Sequence, residues 1–214
     1  YVTGERPHKI LNKGTMIMRD GWIEENYSNI VSLGEYLSSH IISEYLKNLK
    51  IVNTLHDATL FIKTDSKSRN AIVNWKETVL SHRLFIRNVS DSREGIVNYN
   101  YGRIITQGFI GCSASGLTTL GKEGSDYSAA ILGNIFNAEQ VILFKDVDGV
   151  YSADPKKDKT VKLYSELTYD KAYELCNSGN KVIHPKTIKP LKEKKIPLII
   201  KNFNNLNKPG TMIS

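Results

Sequence analysis

Short, continuous apolar runs alternate along the chain with stretches whose apolar residues recur every three to four positions, and this alternation restricts the fold more than any other feature. Val141-Ile142-Leu143-Phe144 is an unbroken apolar run, the signature of a strand covered on both faces in a parallel sheet. Arg103-Ile104-Ile105-Thr106 and residues 197–201 read as further strands. Apolar residues at Ile30, Leu33, Leu37, Ile41, Tyr45 and Leu49 predict a helix over 29–49 with that stripe inward. A second helix is expected from a cap at Ser125 or Asp126 through Ala129, Ala130, Ile131, Leu132 and Ile135. A third covers 168–176, and a basic helix follows His184-Pro185. The prediction is an α/β fold, a three-layer αβα sandwich with a mainly parallel central sheet. Ligands of such sheets sit beyond the C-terminal ends of the strands.

Elsewhere the pattern is weaker. A short strand is expected at Ile51-Val52, a loop over 63–70, a loose helix over 71–84, a strand at Leu84-Phe85-Ile86 and an exposed turn over 90–95. Residues 1–25 are polar and carry little periodicity.

With 214 residues the chain is long enough for one large domain or two small ones. Lysine and arginine exceed aspartate and glutamate by 29 to 22, but the excess is spread along the sequence. Its densest run, 186–195, has helical spacing without interleaved aromatics, which reads as a solvated basic face and not as a nucleic-acid surface. Cys112 and Cys176 are far apart and lack the spacing of a metal site, consistent with a reducing cytoplasm. No membrane partner is expected, because no apolar run is long enough to span a bilayer.

Two neighbouring turns concentrate the chemistry. Leu120-Gly121-Lys122-Glu123-Gly124-Ser125-Asp126 opens a helix and Lys145-Asp146-Val147-Asp148-Gly149-Val150-Tyr151 follows the apolar strand. A glycine-rich turn before a helix frees backbone N–H groups for phosphate or carboxylate oxygens, and the helix dipole adds to the attraction. Phosphoryl transfer needs such donors, a cation and an organising carboxylate, all present between Gly121 and Asp126. The G-x-x-x-x-G-K-[ST] loop and the H-R-D and D-F-G elements of protein kinases are absent from the sequence, so phosphate chemistry here requires another architecture. On the first helix, Ser28, Ser32, Glu35 and Ser39 form a polar stripe, read either as a solvated face or as a binding face.

These blocks resemble aspartate kinases of the amino acid kinase family. The likeness runs from about Ile30 to the C-terminus through Ser32-Leu33-Gly34-Glu35, Thr106-Gln107-Gly108-Phe109-Ile110-Gly111, Thr118 to Ala130, Asp146 to Tyr151, Asp154-Pro155, Lys181-Val182-Ile183-His184-Pro185 and Pro209-Gly210-Thr211. The resemblance implies the amino acid kinase fold and transfer of the γ-phosphoryl group of ATP to the side-chain carboxylate of L-aspartate. That reaction gives 4-phospho-L-aspartate, which leads toward lysine, threonine and methionine. By the same resemblance Glu35, with Ser32 on its stripe, meets the substrate amino group, while Ser125 and Lys122 hold its carboxylates. Asp126 organises the catalytic lysine and the phosphates. Lys145, Asp146, Tyr151, Lys156 and Lys181 fall at nucleotide positions, and Mg2+ is expected to arrive on the nucleotide phosphates. A homo-oligomer is expected for the parent protein. His184 is read as structural, because an aspartate carboxylate is already a nucleophile.

The chain departs from the family pattern in places. Lys122 stands where arginine is usual, Glu123 replaces a common glycine, and the loop between Gly111 and Thr118 is a residue short. The K-F-G-G-[ST] strand that opens family members, and the regulatory domains that follow, do not occur in the sequence. The expectation is therefore a kinase domain incomplete at its N-terminus and weakly active alone, with a substrate lobe at about 1–108 and a nucleotide lobe at 109–214.

Overall fold

The computed structural model describes residues 26–91, 102–153, 160–178 and 182–214. The chain forms two compact units, Tyr1–Ser125 and Asp126–Ser214.

The first unit begins with α1 (Tyr27–Asn48), followed by β1 (Asn53–Leu55), a 3-10 turn (Ala58–Leu60), α2 (Trp75–Asp91) and β2 (Arg103–Ile105). An antiparallel hairpin, β3 (Ile110–Ser113) and β4 (Gly116–Thr119), completes it. β1 pairs in parallel with β2, two residues beyond the strand predicted at Ile51-Val52. The hairpin occupies the segment left as a loop in the sequence. Gly111, Cys112, Ser113 and Thr118 carry no apolar alternation, so nothing in the composition distinguishes it from a loop.

Two expectations for this unit are corrected. The apolar stripe of α1 does not face inward: Leu37, Ile41 and Tyr45 are 53%, 59% and 61% exposed, whereas Ser28, Ser32, Ser39 and Ser43 are buried. Small hydroxyl side chains let the helix lie close to its neighbours, and the burial is tolerated because the hydroxyls are paired. Ser28 Oγ donates to the Ser68 carbonyl at 2.6 Å, and Ser43 Oγ donates to Asn53 Oδ1 at 2.6 Å. The polar stripe is thus a packing face, not a solvated one. Leu84-Phe85-Ile86 is not a strand but part of α2. Thr78, His82 and Phe85 stand at helical spacing, and the Phe85 ring meets Phe61 and His56 edge-on, each with centroids 5.0 Å apart.

In the second unit α3 (Gly124–Ile135) leads into β5 (Val141–Lys145). Then come β6 (Glu166–Leu167), α4 (Tyr169–Asn177), α5 (Pro185–Lys194), β7 (Leu198–Asn202) and β8 (Thr211–Ile213). The strands form one sheet in the order β5-β7-β8-β6. β5 runs parallel to β7 and β6 to β8, while β7 and β8 are antiparallel. A cluster from Ala130 through Val141, Leu143, Ile188, Leu191, Leu198 and Ile200 to Ile213 forms the core. Each fully buried Leu or Ile in such a cluster contributes about 1.5–3 kcal/mol. The run Val141 to Phe144 is not covered on both faces: Val141 and Leu143 point into this core, whereas Ile142 and Phe144 are 37% and 54% exposed. Helix residues Ala130, Ala172, Ile188 and Leu191 share the cluster with Val141 and Leu143, and the pleat sends alternate residues of β5 to the other face. Thr168 caps α4 by accepting from Lys171 N, and His184 caps α5 by accepting from Lys186 N, the structural role read for it.

Candidate active site

The glycine-rich turn is built by backbone strain and close packing. Gly121 is left-handed (φ +78°) and lies over Asn70, whose side chain a Cβ at 121 would strike. Glu123 within the turn and Phe109, whose carbonyl accepts from Leu120 N, are also left-handed at φ +55° and +67°, which costs a residue bearing a Cβ roughly 1–2 kcal/mol. Such strain collects where the geometry is functional. The Glu123 backbone explains why glycine is the easier residue there. Gly108 brings the preceding turn against Ser125: a Cβ at 108 would fall 2.9 Å from Ser125 Oγ. α3 starts at Gly124, so Ser125 and Asp126 lie inside its first turn and neither is the residue that caps it. Asp126 there meets the positive end of the helix.

Within the second unit, Asp126 is tied to the end of β5. Lys145, the last residue of β5, donates to Asp126 Oδ2 at 2.5 Å, with 18% and 13% of the two side chains exposed. A charge pair this far from water resists screening, and it presents a cation beside a carboxylate at a strand C-terminus. Asp146 follows directly and is exposed. Tyr151 is half-buried, its backbone bridged to Leu163 and its hydroxyl 3.4 Å from Asp148 Oδ2. Lys122 is exposed, and among the described residues neither it nor Asp146 takes part in an ion pair. Lys156 and Lys181, like Asp154-Pro155, lie outside the described residues.

Glu35 sits half-buried on α1, and burial raises its pKa above the ordinary glutamate value. Next to it, Tyr36 donates to both oxygens of Asp57, and burial together with that carboxylate raises the phenol pKa. Ser32 is buried and donates to the Asn29 carbonyl at 3.1 Å. Behind this helix Gln107 is 3% exposed. Its Nε2 donates to Ser39 Oγ, and its Oε1 accepts from Ala58 N, both at 2.9 Å.

Residues 7–202 match the profile of the amino acid kinase family. The chain belongs to that family. A Chlamydia muridarum aspartokinase is 32% identical over 89% of this chain and 41% of its own length. A chloroplastic bifunctional aspartokinase/homoserine dehydrogenase of Zea mays is 47% identical over 51% of this chain and 12% of its own. The crystal structure of E. coli aspartokinase III in complex with aspartate and ADP matches with a TM-score of 0.84 and 28% identity, covering 96% of this chain and 45% of that one. The chain thus spans less than half the length of these relatives, and its fold is the amino acid kinase fold.

Within that fold, the division at Ser125/Asp126 sorts the residues singled out in the sequence. Ser32, Glu35, Lys122 and Ser125 fall in the first unit, and Asp126, Lys145, Asp146 and Tyr151 in the second. Sequence reading missed two contributors. Gln107 was quoted only as part of a motif, although a glutamine inside an apolar strand end is itself a signal that its amide is used. Asp148, held by Asn202 and Lys208, was passed over because its partners are far along the chain.

Proposed function

We propose that this chain is the catalytic domain of an aspartate kinase, transferring the γ-phosphoryl group of ATP to the side-chain carboxylate of L-aspartate. The observation that carries the reading is the Lys145–Asp126 pair at the C-terminal end of β5, in a chain that matches an aspartokinase bound to aspartate and ADP over nearly its whole length. In the reaction a side-chain oxygen of aspartate attacks the γ-phosphorus. The bond to the β-phosphate oxygen breaks, ADP leaves, and the product is the acyl phosphate 4-phospho-L-aspartate. No base is needed, because the nucleophile is already ionised at neutral pH. Catalysis is then positioning and charge neutralisation.

Glu35, with Ser32 behind it, takes the substrate ammonium, and Lys122 and Ser125 take its carboxylates. Lys145 neutralises phosphate charge from a position set by Asp126. Asp146 and Tyr151 hold the ribose and base, and Lys156 and Lys181 serve the phosphates. The substrate and nucleotide lobes, expected at about 1–108 and 109–214, are here proposed to be the units 1–125 and 126–214, because Lys122 and Ser125 fall in the first. Mg2+ would enter on the nucleotide phosphates, and the lysine-paired carboxylate Lys145–Asp126 suits phosphate charge. No described helix is long and apolar enough to cross a membrane. We place the reaction in a reducing compartment such as the cytoplasm, where the thiols of Cys112 and Cys176 would stay free. The parent is taken to be a homo-oligomer.

The test is an acceptor panel. Protein expressed from the complete reading frame is given Mg-ATP with aspartate, glutamate, carbamate or UMP, and acyl phosphate is trapped with hydroxylamine while ADP is measured. Aspartate is expected to give hydroxamate in step with ADP. Faster turnover on any other acceptor would move the protein to another branch of the family.

A further inference from the structure

The turn after β5 carries a carboxylate that the reaction does not use. Asp148 Oδ1 accepts from Asn202 Nδ2 at 2.7 Å, and its Oδ2 accepts from Lys208 Nζ at 2.5 Å. Oδ2 also faces the Tyr151 hydroxyl at the longer distance of 3.4 Å. Asn202 is the last residue of β7 and the ladder partner of Lys145, so the tie crosses between the ends of two parallel strands. Asn202 is held in turn: its Oδ1 accepts from Asn204 N at 2.8 Å, which fixes the amide with its nitrogen toward Asp148. The far half of the turn has its own anchor, since Val150 N donates to Thr211 Oγ1 at 2.8 Å and Thr211 Oγ1 donates onward to the Tyr164 carbonyl. Asp148 therefore fastens the near half, where Asp146 stands, and meets the tip of Tyr151. The Lys208 and Asn202 hydrogen bonds also hold its carboxyl below the usual aspartate range, so it is ionised at neutral pH.

We propose that Asp148 is a positioning residue for nucleoside recognition: braced by Asn202 and Lys208, it sets Tyr151 against the base and ribose of the nucleotide. The proposal rests on the nucleotide reading given above and adds to it a residue and two partners. It also limits the effect to the nucleoside end of the ligand, because the Lys145–Asp126 pair is built separately and does not pass through Asp148.

The experiment measures binding of Mg-ADP and of inorganic tripolyphosphate, which lacks base and ribose, to wild type, Asp148→Ala, Asp148→Asn, Lys208→Met and Lys208→Arg by titration calorimetry, with thermal melting alongside. Loss of a charge-assisted brace should weaken ADP about tenfold in Asp148→Ala, with tripolyphosphate unchanged. Lys208→Met should lose less and Lys208→Arg recover most of it. Asp148→Asn, which keeps the side-chain shape, covers the case in which the alanine variant does not fold. Equal weakening of both ligands, or none of either, would overturn the role for Asp148. A wild-type chain that binds neither would instead overturn the nucleotide reading itself, and this inference with it.

Discussion

In the unit 1–125 the described interior is rich in polar side chains: Ser28, Ser32, Ser39, Ser43, Asn53, Thr64, Gln107, Thr118 and Thr119 are all buried, beside a smaller apolar group that includes Phe61, Ile62, Ile110 and Leu120. In 126–214 the residues assigned to the nucleotide stand at the rim of an apolar cluster, Val141, Leu143, Leu198 and Ile200 among its members. An apolar core is non-directional and sets compactness more than orientation. Buried hydrogen bonds are directional, and each unmade one carries the full desolvation cost of its group. A small acceptor recognised by its charges needs the directional kind of support. A strand-end nucleotide site takes its placement from strands that end in register, with directional bonds confined to its turns, as at Asp148.

The sharpest way to break this comparison is at Asp126, where the second unit begins. If Asp126 orders charge for the transferred phosphoryl group, Asp126→Asn in the protein from the complete reading frame lowers kcat by about 10²–10³-fold. The KM for ATP should stay within about threefold, since tenfold would already require 1.4 kcal/mol of lost binding. Steady-state kinetics and ADP titration together check it. Equal losses in turnover and nucleotide binding would mean that the carboxylate merely steadies the first turn of α3, and the chemistry would have to be sought elsewhere.

A smaller effect, of the opposite character, is expected in the first unit. Gln107→Leu keeps the volume but removes both amide bonds, leaving Ala58 N without its acceptor and Ser39 Oγ without its donor. Denaturant unfolding should show a loss of about 2–3 kcal/mol. The KM for aspartate should rise with that for ATP nearly unchanged, because Ser39 is one turn along α1 from Glu35. An ATP effect as large as the aspartate effect would erase the distinction between the units.

How much of this could be read from the residues differs between the units for the same physical reason. Val141 to Phe144 and 197–201 were legible as strands because burial in apolar surroundings leaves a compositional trace. The α1 stripe misled because periodicity reports which residues are apolar, and the buried face there is made of serines whose hydroxyls are satisfied by Ser68, Asn53 and Gln107. Leu84-Phe85-Ile86 misled because a three-residue apolar run is compatible with either a strand or a helix. The turns at Gly121 and Tyr151 were legible as sites, since glycines and charges cluster locally. The brace of Asp148 by Asn202 and Lys208 was not, because its partners are 54 and 60 residues away.

The smallest expected effect separates strain that serves a site from strain that ends a helix. Glu123 and Lys195 are both left-handed, at φ +55° and +54°, one beside the glycine-rich turn and the other at the C-terminus of α5. At such a backbone glycine avoids the Cβ clash, so Glu123→Gly should be more stable than Glu123→Ala by about 1 kcal/mol, although glycine gives the unfolded chain more freedom. Both substitutions remove the same charge, and only the backbone distinguishes them. Lys195→Gly against Lys195→Ala should show a similar difference, as is usual where a helix closes on a left-handed residue. The two positions should part in function: relaxing residue 123 changes the aspartate KM by about two- to threefold, because it loosens the turn that carries Lys122 and Ser125, whereas relaxing 195 leaves it unchanged. If both positions leave the aspartate KM alone, the strain at Glu123 is a tolerated accident of sequence and the turn owes its shape to Gly121 and to the packing of Gly108 on Ser125.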